Sequence, residues 1–263
     1  MTKLRGVALA LGLGFGTLGC VAQPAPCGPY RVGLREYPRF YQRAPDGRFG
    51  GLDKEFFEAL AERSGCKLEF QLESQPRLWH KLTRGDMDLA SWVVPSEQRA
   101  SVVKVVPLIS GHMLAITWRD TGPKSEAEFL ADPALTAVAI RQALYGEGYD
   151  TLMQQLRRQG RLSEVADFDT ALRAFSARRV ALLVAYPWSL AGQPADFMAR
   201  VQLTDWHPAA PGVSSGLALS HKTVREADAQ RLLQALRAMH QDGSLARLLA
   251  RHLPMDVVKL LPP

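Results

Sequence analysis

The stretch of this chain best suited to chemistry runs from Gly85 to Arg99, with the sequence GDMDLASWVVPSEQR. Its apolar segment predicts a strand, and the polar turn that follows carries one arginine, Arg99. The planar guanidinium of arginine can hold a carboxylate through two parallel hydrogen bonds, and open α/β folds keep their ligands at the carboxyl ends of their strands. The stretch therefore predicts a site for a small anionic or zwitterionic molecule.

Aromatic and charged residues near other predicted strand ends could complete this site. They are Glu36, Tyr37, Trp92, Arg141, Tyr145 and Tyr186. Aromatic rings in a cleft would hold an aromatic, heterocyclic or cationic group by stacking or cation–π contact. The alternatives are a core position for Trp79, Trp92 and Trp188, and a surface salt bridge between Arg99 and Glu97 or another acidic neighbour.

Several catalytic and nucleic-acid-binding classes find no support in the sequence. Gly212–Gly216 spells G-x-S-x-G, but prolines precede it and an apolar run follows, whereas a nucleophile elbow needs a strand before the serine and a helix after it. The histidines and cysteines lack metal-ligand spacing, and no phosphate-binding loop occurs. The arginines are scattered, with no long basic run. We therefore expect no metal, no cofactor and no nucleic acid partner.

The first 22 residues predict an export signal: Lys3 and Arg5 precede an apolar run that is too short for a comfortable membrane span. Cys20 lies in a partial lipoprotein box, so a lipid anchor is an alternative to cleavage before Gln23. After the signal two cysteines remain, Cys27 and Cys66, each just upstream of a predicted strand. If those strands are parallel neighbours, the two thiols meet at one sheet edge, where export favours a disulfide over two free buried thiols.

The elements that must position these residues occur in the order β-α-β-α-β, and that order occurs twice. The first set comprises strand 30–34, helix 51–65, strand 67–73, helix 77–84 and strand 88–94; the second comprises strand 136–141, helix 150–160, strand 164–167, a helix capped by Asp169 and strand 180–185. A capping box at Thr223 and Glu226 predicts the start of a long later helix. The residues after Pro254 have no predicted role.

The order of elements and four short motifs resemble the type 2 periplasmic substrate-binding proteins of the polar amino acid group, solute-binding protein family 3. The matching motifs are Tyr30-Arg31-Val32-Gly33, Gly51-Leu52-Asp53, Gly85-Asp86-Met87-Asp88-Leu89 and Ser96-Glu97-Gln98-Arg99. The resemblance implies an α/β fold with two lobes joined by two crossover strands, which closes like a hinge. The implied division is a signal at 1–22, a first lobe at 23–115 and 209–263, and a second lobe at 116–208.

The resemblance also implies roles for single residues. Arg99 matches the family's carboxylate-binding arginine, and Ser96 matches a frequent hydroxyl contact. Two departures leave the identity of the ligand open. Ala143-Leu144-Tyr145 replaces the usual Gly-Thr-Thr, and Tyr186-Pro187 stands where the family has an aspartate for the ligand's ammonium group.

We thus expect an exported, periplasmic and monomeric solute-binding protein that hands a small carboxylate-bearing ligand to an ABC importer. Two alternatives use the same fold. One is an enzyme similar to the exported cyclohexadienyl dehydratases, with Glu36 as the general acid. The other is a sensor or accessory protein that signals its closed form to a partner.

Overall fold

The structure is a computed structural model that describes residues 26–44, 46–190, 192–255 and 258–263. The predicted signal at 1–22 and the candidate lipid anchor Cys20 lie outside these residues. The strands are β1 (Cys27–Leu34), β2 (Gln42–Arg43), β3 (Phe49–Gly50), β4 (Cys66–Leu72), β5 (Leu89–Val93), β6 (Val103–Gly111), β7 (Leu114–Trp118), β8 (Ala137–Ile140), β9 (Leu162–Val165), β10 (Leu182–Ala185), β11 (Val201–Thr204), β12 (Val213–Ser220) and β13 (Lys259–Leu260).

Helices alternate with these strands over most of the chain. They are α1 (Leu52–Ser64), α2 (Gln75–Arg84), α3 (Glu97–Ala100), α4 (Glu126–Ala131), α5 (Tyr149–Arg158), α6 (Phe168–Ser176), α7 (Ala195–Arg200), α8 (Glu226–Gln241) and α9 (Ser244–His252), with a short 3₁₀ helix at Pro187–Leu190. Among the helices of the described ranges, none combines the length and hydropathy that crossing a bilayer requires.

Two large sheets define two lobes. The first lobe contains the strand order β13-β6-β12-β5-β1-β4, and the second contains β11-β7-β10-β8-β9. In each sheet the βαβ strands are parallel: β1 pairs with β4 and β5, and β8 pairs with β9 and β10. Antiparallel strands complete each sheet. The predicted two-lobed α/β fold is confirmed.

Two connections carry the chain between the lobes. The chain leaves the first sheet after Gly111 and enters the second at Leu114, and it leaves the second after Thr204 and returns at Val213. The imidazole Nδ1 of His112 lies 3.0 Å from a carboxylate oxygen of Asp205, so a side-chain pair links the two connections. The lobe limits given above remain a prediction.

Each lobe has its own apolar core. In the first lobe, Phe56, Phe57 and Leu60 of α1 are fully buried with Leu232 and Leu236 of α8. Helix α1 ends at Gly65, whose φ of 67° is left-handed and therefore favours glycine. These helices cover the sheet whose strands lead to Arg35 and to helix α3, which carries Arg99.

The second-lobe core is built around stacked rings. Trp118 stacks on Phe175 with ring centroids 4.9 Å apart, and Phe197 meets Trp118 edge-on at 5.8 Å. Burial of such large rings contributes strongly to core stability. The two cores meet at the cleft, because Trp188 of the second lobe is buried with the first-lobe core and Tyr37 of the first lobe packs against the second-lobe core.

The disulfide between Cys27 and Cys66 is present. The two residues lie opposite one another in the parallel pairing of β1 and β4, with Cα atoms 4.4 Å apart. The alternative of two free thiols is wrong, because the strand register brings both cysteines to the same sheet edge.

Two predicted helix caps are wrong. Helix α6 is capped by Asp167, which accepts a hydrogen bond from the Thr170 amide at 2.8 Å, and Asp169 lies within its first turn. Helix α8 begins after Arg225 without a side-chain cap, so Thr223 and Glu226 form no capping box.

The tail after Pro254 also has a structural role, because β13 extends the first sheet along β6.

Candidate functional site

A cavity of about 470 Å³ lies between the two lobes. Its wall includes residues that directly follow parallel strands in both sheets: Arg35 after β1, Val94 after β5 and Tyr186 after β10. This is the position at which open α/β sheets bind ligands, because the loops at the carboxyl ends of the strands leave a crevice between them. We therefore take this cavity as the candidate site.

Arg99 projects from the short helix α3 into this cavity. The Ser96 hydroxyl accepts a hydrogen bond from the Arg99 amide at 3.3 Å and so caps the helix. The guanidinium lies 4.5 Å from the Trp79 ring centroid, and its two Nη atoms donate to the carbonyls of Val94 and Gln142 at 2.8 and 2.5 Å. Gln142 belongs to the second lobe, so this side chain spans the cleft.

The charge of Arg99 is only partly compensated by the protein. Its side chain is nine-tenths buried, and no ion pair among the described residues includes it, so the predicted alternative of a surface salt bridge with Glu97 or another acidic neighbour does not form. Burial, followed by the charge of nearby Arg35, lowers the pKa of Arg99 to about 10. The Arg99 guanidinium is therefore still charged at neutral pH, and an anionic ligand would compensate that charge.

Arg35 is a second cation of the same wall, and sequence reasoning missed it. Its Nη1 donates to Gln75 Oε1 at 2.6 Å and its Nη2 to the Ser91 carbonyl at 2.9 Å. Its Nε is buried and has no hydrogen-bond partner within the described residues. Burial lowers the pKa of Arg35. The only sequence signal was its position directly after the first strand.

Asp53 lies behind these arginines at the start of α1. One carboxylate oxygen accepts from the indole Nε1 of Trp92 and the other from the Ser91 hydroxyl at 3.0 Å. Burial raises the pKa of Asp53 to about 6, although these hydrogen bonds and Arg35 favour its charged form. Trp92 is thereby fixed at the wall, with Phe56 and Phe40 packed against its ring.

The tyrosine hydroxyls at the cavity are largely used by the protein itself. Tyr37 shares a hydrogen bond of 2.6 Å with the Ser189 hydroxyl, which belongs to the second lobe. The Tyr145 hydroxyl accepts from the Ile140 amide at 2.7 Å, and burial raises its pKa. Tyr186 stacks on Trp188 at 4.3 Å. The rings of Tyr37, Tyr145 and Tyr186 line the cavity, so they offer a ligand apolar faces more than free hydroxyls.

The predicted site residues divide into two groups. Glu36, Tyr37, Trp92, Arg99, Tyr145 and Tyr186 line the cavity. Two others do not: the Ser96 hydroxyl is occupied as a helix cap beside a smaller pocket, and Arg141 is exposed after β8. We leave these two out of the proposed site. Trp79 is buried in the first-lobe core, as expected, but its ring also forms part of the cavity wall.

The structure gives no support to a serine or metal site. The G-x-S-x-G serine lies within β12, which pairs along its length with β6, so the strand-to-helix turn of a nucleophile elbow is missing at this position. Within the described part of the chain, no group of three or more histidine, cysteine, aspartate or glutamate side chains could hold a metal ion.

Solved structures of similar fold are known. An ancestral arginine-binding protein bound to arginine has a TM-score of 0.72 and 18% identity, covering 86% of this chain and 99% of that one. A periplasmic His/Glu/Gln/Arg/opine family-binding protein from Silicibacter pomeroyi in complex with lysine has a TM-score of 0.68 and 18% identity, covering 87% and 98%. A histidine kinase sensor domain similar to periplasmic binding proteins has a TM-score of 0.69 and 20% identity, covering 90% and 99%.

At these identities the structural likeness establishes the fold alone. No curated protein sequence matches this chain. The family whose sequence model does match is described as bacterial extracellular solute-binding proteins, family 3, and the match extends over residues 30–255. The chain therefore belongs to family 3 of the bacterial extracellular solute-binding proteins.

Proposed function

We propose that this protein captures a small carboxylate-bearing ligand by closing its two lobes and delivers the ligand to an ABC importer. The observation that carries the proposal is Arg99, a buried guanidinium at the cavity wall that forms no ion pair in the described part of the chain, although the charge of Asp150 partly offsets the lowering of its pKa. A buried charge without a partner is costly, and a ligand carboxylate would supply that partner through charge-assisted hydrogen bonds.

Contacts across the cleft support the closing step. Arg99 donates to the Gln142 carbonyl, and Tyr37 is hydrogen-bonded to Ser189. Each of these contacts joins a first-lobe side chain to the second lobe, so each forms only when the lobes approach one another. A ligand that touches both walls would bind the closed form better than the open form and shift the population toward it.

The similar structures are consistent with this ligand class. One is an arginine-binding protein bound to arginine and another is in complex with lysine. Both of those ligands carry a carboxylate. The ammonium and side-chain groups of those two ligands are not part of the proposal. Tyr186 lines the cavity at the position where the family has an aspartate for the ligand's ammonium group.

The test is a ligand screen followed by substitution of Arg99. Thermal-shift screening of the purified protein against amino acids, dicarboxylates, polyamines and aromatic acids identifies a ligand, because one present at about a hundred times its Kd adds roughly 2.7 kcal/mol to the free energy of unfolding. Titration calorimetry then compares the wild type with Arg99→Gln. If the ion pair is desolvated, we expect a loss of about 2–5 kcal/mol, or at least roughly 30-fold in Kd.

Arg158→Gln is the matched control, because Arg158 is exposed at the end of α5 and is not among the residues that line the cavity. Its effect should stay within about threefold, as for other exposed charges. A carboxylate ligand that binds Arg99→Gln as tightly as the wild type would contradict the proposed site. Circular dichroism of both variants checks that the fold is kept.

Recovery of the bound ligand distinguishes binding from chemistry. We expect ¹H NMR to show that the ligand is released unchanged, and uptake of the labelled ligand to fall in cells that lack the protein. Conversion of prephenate or arogenate would instead favour the dehydratase alternative. Unchanged uptake would favour a sensor.

A further inference from the structure

Resting on the proposed function, we infer that the ligand carries two carboxylate groups, one held by Arg99 and the other by Arg35. Both guanidinium groups line the same cavity, and neither takes part in an ion pair within the described residues. Because buried charges are costly unless they are paired, two carboxylates on a ligand would stabilise these two cations.

The hydrogen bonds of Arg35 orient its guanidinium but leave its positive charge available to a ligand. Its two Nη atoms are held by Gln75 and the Ser91 carbonyl, which fixes the orientation of the guanidinium plane. These acceptors are neutral, so they satisfy donors without cancelling the charge. The buried Nε has no hydrogen-bond partner within the described ranges of the chain. The Nη1 atom carries a second N–H for which the described residues give no acceptor, and a carboxylate in the cavity that accepts from it would also compensate the charge of Arg35.

The acidic groups of the wall do not already neutralise Arg35. Asp53 is the carboxylate whose charge acts most on Arg35, but it is hydrogen-bonded to Trp92 and Ser91 and forms no ion pair with a described residue. Burial raises the pKa of Asp53 to about 6, so at neutral pH Asp53 is mostly ionised and compensates the charge of Arg35 in part. Arg35 and Arg99 also repel each other, since the charge of Arg35 lowers the pKa of Arg99.

The remaining carboxylates of the wall have other partners or are exposed. Glu73 is bonded to Lys81, with Arg77 at 3.7 Å. Asp167 caps α6. Glu36 and Asp169 are exposed. The buried part of the cavity therefore presents more unmatched positive than negative charge, which favours a dianion over a ligand with a cationic side chain such as arginine or lysine.

Matched pairs of ligands test this inference, because each pair differs only by one carboxylate replaced with an amide. We would use succinate and succinamate, L-glutamate and L-glutamine, and phthalate and phthalamate, the last pair suited to the aromatic wall. Titration calorimetry on the full protein should show at least one diacid that binds about tenfold to a hundredfold more tightly than its amide, as expected for a hydrogen bond to a charged group.

Variants assign that preference to Arg35. In Arg35→Gln we expect the diacid and its amide to bind within about threefold of each other, whereas Arg35→Lys keeps a preference because the charge remains. Arg99→Gln should weaken both members of the pair. Arg158→Gln, at an exposed position outside the cavity lining, controls for the loss of a positive charge. The thermal midpoint of each ligand-free variant checks its folding, and Arg35→Lys provides a second readout if Arg35→Gln is unstable.

The outcomes separate this inference from the proposed function. If each amide binds as well as its diacid, if Arg35→Gln keeps the preference, or if no diacid binds, the inference is overturned. In those cases a monocarboxylate found by the wider screen that still needs Arg99 leaves the proposed function standing. A carboxylate ligand that is indifferent to Arg99→Gln overturns the proposed function itself.

Discussion

The first-lobe wall of the cavity carries Arg35, Asp53 and Arg99, whereas the second-lobe wall presents the rings of Tyr145 and Tyr186. The charged groups are fixed before any ligand arrives, because each is hydrogen-bonded to its own lobe. The second lobe also lines the cavity with Asp167, Asp169 and Arg173, but Asp167 caps α6 and the other two side chains are exposed. A ligand can therefore be bound and oriented by the first lobe, while the second lobe supplies apolar cover and the contacts that hold the closed form.

This difference between the lobes extends to their stability. In the described residues, the one disulfide joins β1 to β4 in the first lobe and closes a sequence separation of 39 residues. The second lobe depends on its rings and short strands. Each of the following experiments should therefore affect one lobe, or the contact between the two, more than the rest of the molecule.

Removal of the disulfide should give the largest effect. We expect Cys27→Ala with Cys66→Ala to lower the free energy of unfolding by about 2–5 kcal/mol, because the unfolded chain is no longer constrained. Urea unfolding with and without reductant measures the change. The bond lies at the start of β1, roughly 25 Å along the strand from Arg35, so ligand affinity of the folded variant should change little. An unchanged unfolding midpoint would contradict this prediction.

Substitution of Asp53 should alter the pH dependence of the first lobe. Because burial raises the pKa of Asp53 to about 6 in the folded protein, the folded state holds its proton more tightly than the unfolded state. Stability from this group is thus fully present below about pH 4 and is lost as pH rises through about 6, by about 3 kcal/mol in total.

Asp53→Asn cannot titrate, so its free energy of unfolding should lack this decline while the amide oxygen still accepts from Trp92. Urea unfolding of the variant and the wild type at pH 4.5 and pH 7 gives the difference. Asp169→Asn, at an exposed second-lobe position, is the control and should keep the wild-type slope. Equal slopes for Asp53→Asn and the wild type would show that burial does not perturb this carboxyl.

The elements around the cavity could be predicted from the sequence because their signals are local. Gly65 and Gly85 end helices α1 and α2 in left-handed conformations, and apolar periodicity predicted the strands on either side. The position of Arg99 at the cavity followed from a strand and a polar turn. Such signals need only a few neighbouring residues, so they remain valid whatever the tertiary context.

The remaining features of the cavity depend on contacts between residues that are far apart in the sequence. Arg35 is held by Gln75 and Ser91, which lie 40 and 56 residues away, and no local pattern indicates those partners. Ser96 and Arg141 follow strands as predicted, but neither lines the cavity. The Ser96 hydroxyl caps α3, and Arg141 is exposed after β8. The two-residue strand β13 is too short for any periodicity, so its pairing with β6 could not be anticipated.

Tyr145→Phe should weaken the second lobe by about 1–3 kcal/mol, because the Ile140 amide loses its acceptor at the cavity wall. Thermal or urea unfolding measures the loss. Tyr41→Phe is the matched control: Tyr41 stacks on Phe49 away from this wall, and its substitution should cost less than about 0.5 kcal/mol. If both variants unfold alike, the Tyr145 hydroxyl does not support the second lobe.

The smallest effect is expected where the lobes meet. Tyr37→Phe or Ser189→Ala removes the hydroxyl pair that joins them, and each should weaken ligand binding by about 0.5–1.5 kcal/mol, or roughly twofold to tenfold, by destabilising the closed form. Because either change alone breaks the same bond, the double variant should bind about as weakly as each single variant. Additive losses would mean that the two hydroxyls act separately, each within its own lobe. Small-angle scattering supplies an independent readout: if the pair holds the lobes together, the ligand-free single variants should have a larger radius of gyration than the wild type, and all forms should contract to the same value when saturated with ligand.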